Sequence, residues 1–290
     1  MSQIKQNLKI YFLLLLIIFN VVIFYAIYYV SESILVVSFL DVGQGDAIFI
    51  KAPGGRQMLI DGGPNNSVLR ELGKVMPFYD RSIDIVVATH ADQDHIGGLI
   101  AVLERFKVGL FIRTNATSSS AVYLELENLI KEKNIKTEII TAPEIITFGK
   151  DTKFNILFPN QNTSGWETND SSIIGKLTYG QTSFLLTGDS PQIIEKYIVG
   201  KYGTFLNSDV LKVGHHGSKN SSAELFIGTV SPAYSVISAG INNSYGHPTP
   251  EVISILNNFS SQILKTFDKG MIQFKSDGKN LKTGEKSKIM

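Results

Sequence analysis

Four side chains able to ligate a metal fall within six consecutive positions of the run THADQDHIGG at residues 89–98: His90, Asp92, Asp94 and His95. Imidazole nitrogens and carboxylate oxygens at that density can converge on one or two divalent cations from a single loop. Packed so closely with no cation, the carboxylates would repel one another. Asp92 or Asp94 could in addition cap a following helix. The Gly97-Gly98 pair is expected to let the backbone come close beneath the ions. The chain has no cysteine, so disulfides and thiolate ligands are excluded, and imidazole and carboxylate are its strong ligands. Further along, Asp189 ends an apolar run in a Gly-Asp turn, which in isolation reads as a turn aspartate ahead of Pro191. His215 and His216 follow the apolar run at 210–213, so one can face the cluster while the other faces away. Ser218, Ser221 and Ser222 after them are donors suited to a phosphate, a common feature of serine-rich loops. His247 stands in a Gly-His-Pro turn, where a solvent-facing imidazole is the plain alternative to a role in chemistry.

These residues need a scaffold that brings loops together, and the hydrophobic patterning supplies one. Residues 33–50 and 57–60 are short β-branched or apolar runs broken by Gly-rich turns, the pattern of a meander of buried strands. A helical stretch at 68–76 leads to the apolar run 83–89, which ends at His90, and helical spacing resumes over 96–106. The metal-ligand run therefore sits on a loop between strand and helix. The same reading predicts strands at 108–112, 137–140, 154–158, 172–179, 183–186, 210–213 and 234–238. Helices are predicted at 123–133, 191–202 and 250–259. The two halves share one rhythm, as a sandwich of two sheets with helices outside would require.

HADQDH resembles the HxHxDH metal signature of the metallo-β-lactamase superfamily, with Asp92 in the place of the second histidine. That substitution is typical of the hydrolase domain of ComEC competence proteins, the membrane channels of bacterial DNA uptake. FLDVGQGDAIFI (39–50), LIDGG (59–63), LLTGD (185–189), DVLKVGHHGS (209–218) and ISAGINNSYGHPTP (237–250) resemble the same branch in the same order. Together they cover nearly all of residues 38–274. The resemblance implies a four-layer αββα sandwich binding two divalent ions through His90, Asp92, Asp94, His95, Asp189 and His215. Asp189 would bridge the two. Asp94, His216 and His247 would act in catalysis, and Ser218 and His247 would contact substrate. Asp61 would orient a ligand from behind, with Asp170 in the same outer layer. One departure matters: no histidine lies between His95 and His215, and Asn169 or Asp170 occupies the place of the usual third histidine motif. Such an oxygen-rich ligand set moves the expected metal from Zn²⁺ toward Mn²⁺. Asp41 and Asp46 flank the Gly43-Gln44-Gly45 turn, which reads as structural. The implied reaction is hydrolysis of a phosphodiester, with DNA as first choice. A hydrolase of another phosphoester or small molecule and a non-catalytic DNA-binding module are the alternatives.

Composition limits the rest. Apolar residues make up 43% of the 290 positions, enough for one large core, and the formal charge of +1 supplies no field that would gather polyanions over the whole surface. Residues 8–30 are apolar except for Lys9 and Asn20, and Lys5 and Lys9 lie at their N-terminal side. A single-pass anchor with the domain outside the cell membrane is expected, with a cleaved signal peptide and a secreted product as the alternative. The expected divisions are 1–32 for the cytoplasmic N-terminus and anchor, 33–275 for the sandwich and 276–290 for a basic, flexible tail. With one span the chain cannot form a channel, so DNA uptake would need a separate membrane channel protein as partner.

Overall fold

The computed structural model describes residues 2–31 and 33–284. Among them the strands form two mixed sheets. The first has eight strands in the order β15 (Leu281–Gly284), β14 (Ile272–Ser276), β1 (Leu35–Phe39), β2 (Ile48–Lys51), β3 (Gln57–Ile60), β4 (Ser82–Val87), β5 (Lys107–Thr114) and β6 (Thr137–Ile140). The second has seven, in the order β13 (Gln262–Lys265), β12 (Tyr234–Ile237), β11 (Val210–Lys212), β10 (Thr182–Leu186), β9 (Ile174–Tyr179), β8 (Thr152–Phe158) and β7 (Glu144–Thr147). Each sheet begins as an antiparallel meander and continues with parallel strands joined by helices, from β3 to β6 in one and from β10 to β13 in the other. That repetition is the shared rhythm of the two halves of the sequence.

Alternation along the strands assigns each side chain to a layer. In β10, Phe184 and Leu186 point between the sheets while Leu185 points outward, and in β11 Val210 points in while Leu211 points out. The inner core joins these to Val37, Phe39, Ile50, Val87, Phe154 and Phe274. One outer core packs the first sheet against α2 (Ser67–Val75), α3 (Gln93–Arg105) and α4 (Ala121–Glu132), through Leu72, Leu99, Leu103 and Leu126. The other packs the second sheet against α5 (Gln192–Tyr202), α6 (Glu224–Val230) and α7 (Pro250–Asn258), through Ile198, Phe226 and Leu256. The result is the expected αββα layering. Each fully buried Phe or Leu in these cores contributes roughly 1.5–3 kcal/mol.

Several elements differ from expectation. The strands β7, β13, β14 and β15, the helix α6 and the short helix α8 (Thr266–Lys269) were not anticipated. Part of the expected flexible tail is strand: β15 pairs antiparallel with β14, Leu281 opposite Ser276, and closes the sheet edge. Residues 285–290 lie outside the described residues. The N-terminal run does form a helix, α1 (Ser2–Ser31), yet among the described residues no helix is long and apolar enough to cross a membrane. Among the described side chains, those from Ile10 to Ile23 are apolar and exposed apart from Asn20. Beyond Ile23 the side chains of that run, Tyr25 apart, lie outside the described residues.

Candidate metal centre

The loops after the parallel strands meet at one end of the sandwich. Asp61 follows β3, His90 follows β4, Asp189 follows β10, His215 and His216 follow β11, and His247 lies in the loop after β12. All five histidines of the chain arrive there. This is the end of a parallel sheet at which loops are free to form a site.

The first layer of the site begins behind the imidazoles. Asp61 accepts from the Thr89 N–H at 2.8 Å, from the Thr89 hydroxyl at 2.7 Å and from His95 Nδ1 at 2.8 Å. A carboxylate in this setting can only accept, so in its neutral, metal-binding form His95 carries its proton on Nδ1 and its Nε2 lone pair faces forward. The Ser238 carbonyl does the same for His216, accepting from Nδ1 at 2.8 Å. Because the Thr89 hydroxyl hydrogen is given to Asp61, Thr89 Oγ1 accepts from His90 Nδ1 at 3.0 Å. His90 Nε2 is then a buried lone pair with no partner. Three backbone or side-chain acceptors thereby fix three tautomers, each with Nε2 available as a ligand.

These lone pairs converge. His95 Nε2 and His216 Nε2 lie 3.4 Å apart, each near Asp189 Oδ2, at 3.3 and 3.2 Å, and His216 Nε2 lies 3.2 Å from Asp94 Oδ2. Ligand atoms about 2.0–2.1 Å from a tetrahedral ion sit roughly 3.3 Å from one another, so His95, His216 and Asp189 have the spacing of a divalent site, with Asp94 as a fourth member beside His216. Two imidazole nitrogens and two carboxylates facing one point call for positive charge there, carried either by protons on the imidazoles or by a cation that displaces them. Asp46, His95, Asp189 and His216 likewise present possible ligand atoms within 4.8 Å of one another, all buried. Asp46, however, approaches the Nδ1 side of both imidazoles, at 3.9 Å from His95 and 3.6 Å from His216, and is paired with the Lys212 ammonium. It approaches from the layer behind, whereas Asp94 faces the Nε2 side of His216.

Around this quartet, a second group gathers at His90. Asp92 Oδ2 is 3.7 Å from His90 Nε2. Asp92 holds the N-cap position of α3, but its side chain makes no capping bond, leaving its oxygens for the site. Asn169 Oδ1, in the turn Asn169–Ser171, is buried without a partner.

The two adjacent histidines exchange the expected roles. His216 is buried and points inward, while the His215 side chain is 25% exposed, with Nε2 3.9 Å from Asp189 Oδ2. Both sit in left-handed backbone, φ 48° and 54°. That turn, sparsely populated for residues with a Cβ, reverses the alternation a strand would impose. His215 instead meets His247 edge to face, with ring centres 5.7 Å apart, at the mouth of the site. Ser218, expected at the substrate, is buried, and its hydroxyl accepts from the Asn220 N–H at 3.3 Å. Ser221 also turns inward, donating to Gly214 O, so the serines brace the loop that holds His216. The glycine pair has a related but different use from the expected one. A Cβ at Gly98 would lie 2.0 Å from the Gly62 carbonyl oxygen, so the close approach is of α3 to the turn after Asp61. It seats His95 on Asp61.

Lys212 and Asp46 are the parts of the site that sequence reasoning missed. Lys212 is fully buried at an inward register of β11, two residues after Val210, and its ammonium reaches Asp46, Asp189 Oδ1 at 3.4 Å and Gly188 O at 3.0 Å. A lysine in the inward register of an apolar strand is the signal that could have found it. Burial disfavours its charge, but Asp46 and Asp189 outweigh that and raise its pKa.

Electrostatics divides the histidines. Burial works against charge on His95 and His216, yet Asp189 and the other carboxylates prevail. His95 is held well above the usual range and His216 at about 9. His90 goes the other way, to about 3, through burial and the neighbouring His95. His215 and His247 are also lowered by burial, so the pair at the mouth is neutral near pH 7. Asp94 and Asp189 stay ionised in spite of burial because His216 and His95 face them.

A buried set of imidazoles and carboxylates with fixed tautomers, at the loop end of an αββα sandwich, defines a metal-binding centre of a hydrolase fold. The family model of the metallo-beta-lactamase superfamily matches residues 40–240, and the chain belongs to that superfamily. It is 33% identical to ComE operon protein 3 of Bacillus subtilis, over 82% of this chain and 33% of that protein. It is 30% identical to competence protein ComA of Neisseria gonorrhoeae, over 84% of this chain and 33% of that protein. The chain thus spans about a third of the length of these curated relatives. Among solved structures, the metallo-beta-lactamase fold protein YhfI of Bacillus subtilis aligns with a TM-score of 0.55 at 15% identity, over 83% of this chain and 99% of that one.

Proposed function

We propose that this protein is a metal-dependent phosphodiesterase that cleaves DNA in a competence-related process. The observation that carries the reading is the convergence of Nε2 lone pairs from His95 and His216 on Asp189 and Asp94, with His90 Nε2 open beside Asp92. Such a set suits one ion at the quartet and a second at His90, Asp92 and Asn169, with manganese favoured over zinc by the oxygen content. Bound divalent ions supply Lewis acidity toward a phosphoryl oxygen and a more acidic water. The chain's own residues do the remainder. Asp61, Ser238 and Thr89 keep the ligand imidazoles oriented. Lys212 holds Asp189 and Asp46 in place from below. Neutral His215 and His247 at the mouth offer a proton acceptor and an N–H donor to the substrate's oxygens. The names of the relatives support the competence-related process, and DNA is the substrate that the ComEC-like motifs imply. The small net charge of +1 favours a second reading, a compact phosphoester held only by the site.

Membrane attachment through α1, with the domain on the outer face and a separate channel protein as partner, belongs to the same proposal. It is supported by the exposed apolar side chains from Ile10 to Ile23. The full chain, loaded with Mn²⁺ or Zn²⁺, should cleave labelled DNA in an EDTA-sensitive manner. Hydrolysis of bis(p-nitrophenyl) phosphate without DNA cleavage would favour the second reading. Binding of DNA without metal-dependent turnover of either substrate would refute both and leave a binding module.

A further inference from the structure

The loop that carries His247 does more than place an imidazole. Asn243 stitches it from within: its amide donates to Gly240 O at 3.0 Å and His247 O at 2.6 Å, and its oxygen accepts from the N–H groups of Tyr245 and His247 at 3.2 and 3.0 Å. The loop is pinned to the metal centre through the Thr249 N–H, which donates to Gly217 O at 2.9 Å, and to the Gln44 side chain through the Gly240 N–H at 3.1 Å. A loop braced to this degree holds Tyr245 outward in one place. The ring is 68% exposed and lies nearly parallel to His247, at 22° with ring centres 5.8 Å apart. Ile241, 71% exposed, adds an apolar neighbour on the same loop. From Asp189 the series His215, His247, Tyr245 runs outward from the metal ligands to solvent. His247 also lines a cleft of about 600 Å³, together with Ser254, Asn257, Asn258 and Lys265 and with no carboxylate.

We propose that Tyr245 is a stacking shelf for the base of an unpaired nucleotide next to the scissile phosphodiester, so that the site takes single-stranded nucleic acid in preference to duplex. This rests on the phosphodiesterase reading above. An aromatic face accepts any base but only one already out of its duplex stack, which gives strand preference without sequence preference. Backbone oxygens of the same strand find donors in the cleft beside His247.

The test measures binding by fluorescence anisotropy in the full-length Asp94→Asn protein, which holds substrate without turning it over. The probes are a labelled thymidine 20-mer and a blunt duplex of the same length. Tyr245→Ala should weaken the single strand roughly tenfold and the duplex less than twofold, with an unchanged melting temperature, whereas Tyr245→Trp should retain the preference. Equal affinity of the Ala variant and its parent for the single strand would overturn the shelf, as would an equal loss on both probes. If the unmutated protein cleaves DNA while either of those results holds, the shelf alone fails. If it neither binds nor cleaves any oligonucleotide, the nucleic-acid reading fails and takes the shelf with it.

Discussion

Asp61→Asn removes a single charge that never touches the metal, and its effect follows from who donates to whom. The native carboxylate accepts three bonds, from the Thr89 N–H at 2.8 Å, the Thr89 hydroxyl at 2.7 Å and His95 Nδ1 at 2.8 Å. An amide oxygen can still serve the Thr89 N–H, but the amide nitrogen then faces His95 and donates. His95 must answer by accepting at Nδ1, which moves its proton to Nε2 and points an N–H at Asp189 in place of a lone pair. Orienting partners of this kind are worth about 10–100-fold in metal affinity, or roughly 1.4–2.7 kcal/mol. His216 keeps its tautomer, because its acceptor is the Ser238 main-chain carbonyl. Metal binding should therefore weaken without vanishing, and unfolding should cost about 1–3 kcal/mol less through the loss of charge-assisted bonds. Competition with a chromogenic chelator measures the affinity, and urea unfolding of the metal-free protein measures the stability. A variant within twofold of the wild-type affinity would refute the assignment of fixed tautomers.

His216→Ala should lower metal affinity by at least about tenfold, while His215→Ala should leave metal content intact and lower turnover; metal analysis of the two purified variants checks this, and the reverse pattern would restore His215 as the ligand. Lys212→Met should destabilise the protein by about 3–5 kcal/mol, because Asp46 is left buried and unpaired. The double variant with Asp46→Asn should recover part of that loss in urea unfolding, and a fully additive pair would argue against the ion pair. In the metal-free protein His216 titrates at about 9, above its unfolded value of roughly 6.5. The stability it lends is therefore complete below pH 6.5 or so and is lost as pH rises through about 9. Unfolding free energies should fall between pH 7 and 10. Calorimetric titration with metal at pH 7 in buffers of different ionisation enthalpy should show proton release, and zero release would contradict the charged state assigned to His216 and His95.

The metal loop was legible in the sequence because its ligands lie within one strand-loop-helix unit, where local spacing decides geometry. The layered fold was legible because the strands of both halves alternate as a sandwich demands. Three things were not. The choice between His215 and His216 depends on two consecutive left-handed residues, which strand parity cannot foresee. Asp46 lies far along the chain from its partner Lys212, and neither has local significance until β1, β2 and β11 are stacked. Ser218 has the composition of a phosphate-binding residue, yet its hydroxyl serves the loop's own backbone. The strands β14 and β15 were missed for a similar reason. They complete the sheet beside β1, at the other end of the chain, and polar residues alternate through both.

The ligands come from both halves of the sandwich: His90, Asp92, Asp94 and His95 from the loop and helix α3 that follow β4 of the first sheet, Asp189 and His216 from loops of the second. A bound cation therefore works as a clasp between two packed leaves as well as a reagent. At a free concentration a hundred times its dissociation constant it adds about 2.7 kcal/mol to the folded state. Scarcity of metal would loosen the seam on which substrate is expected to lie, coupling the enzyme's durability to the supply of the ion that makes it active.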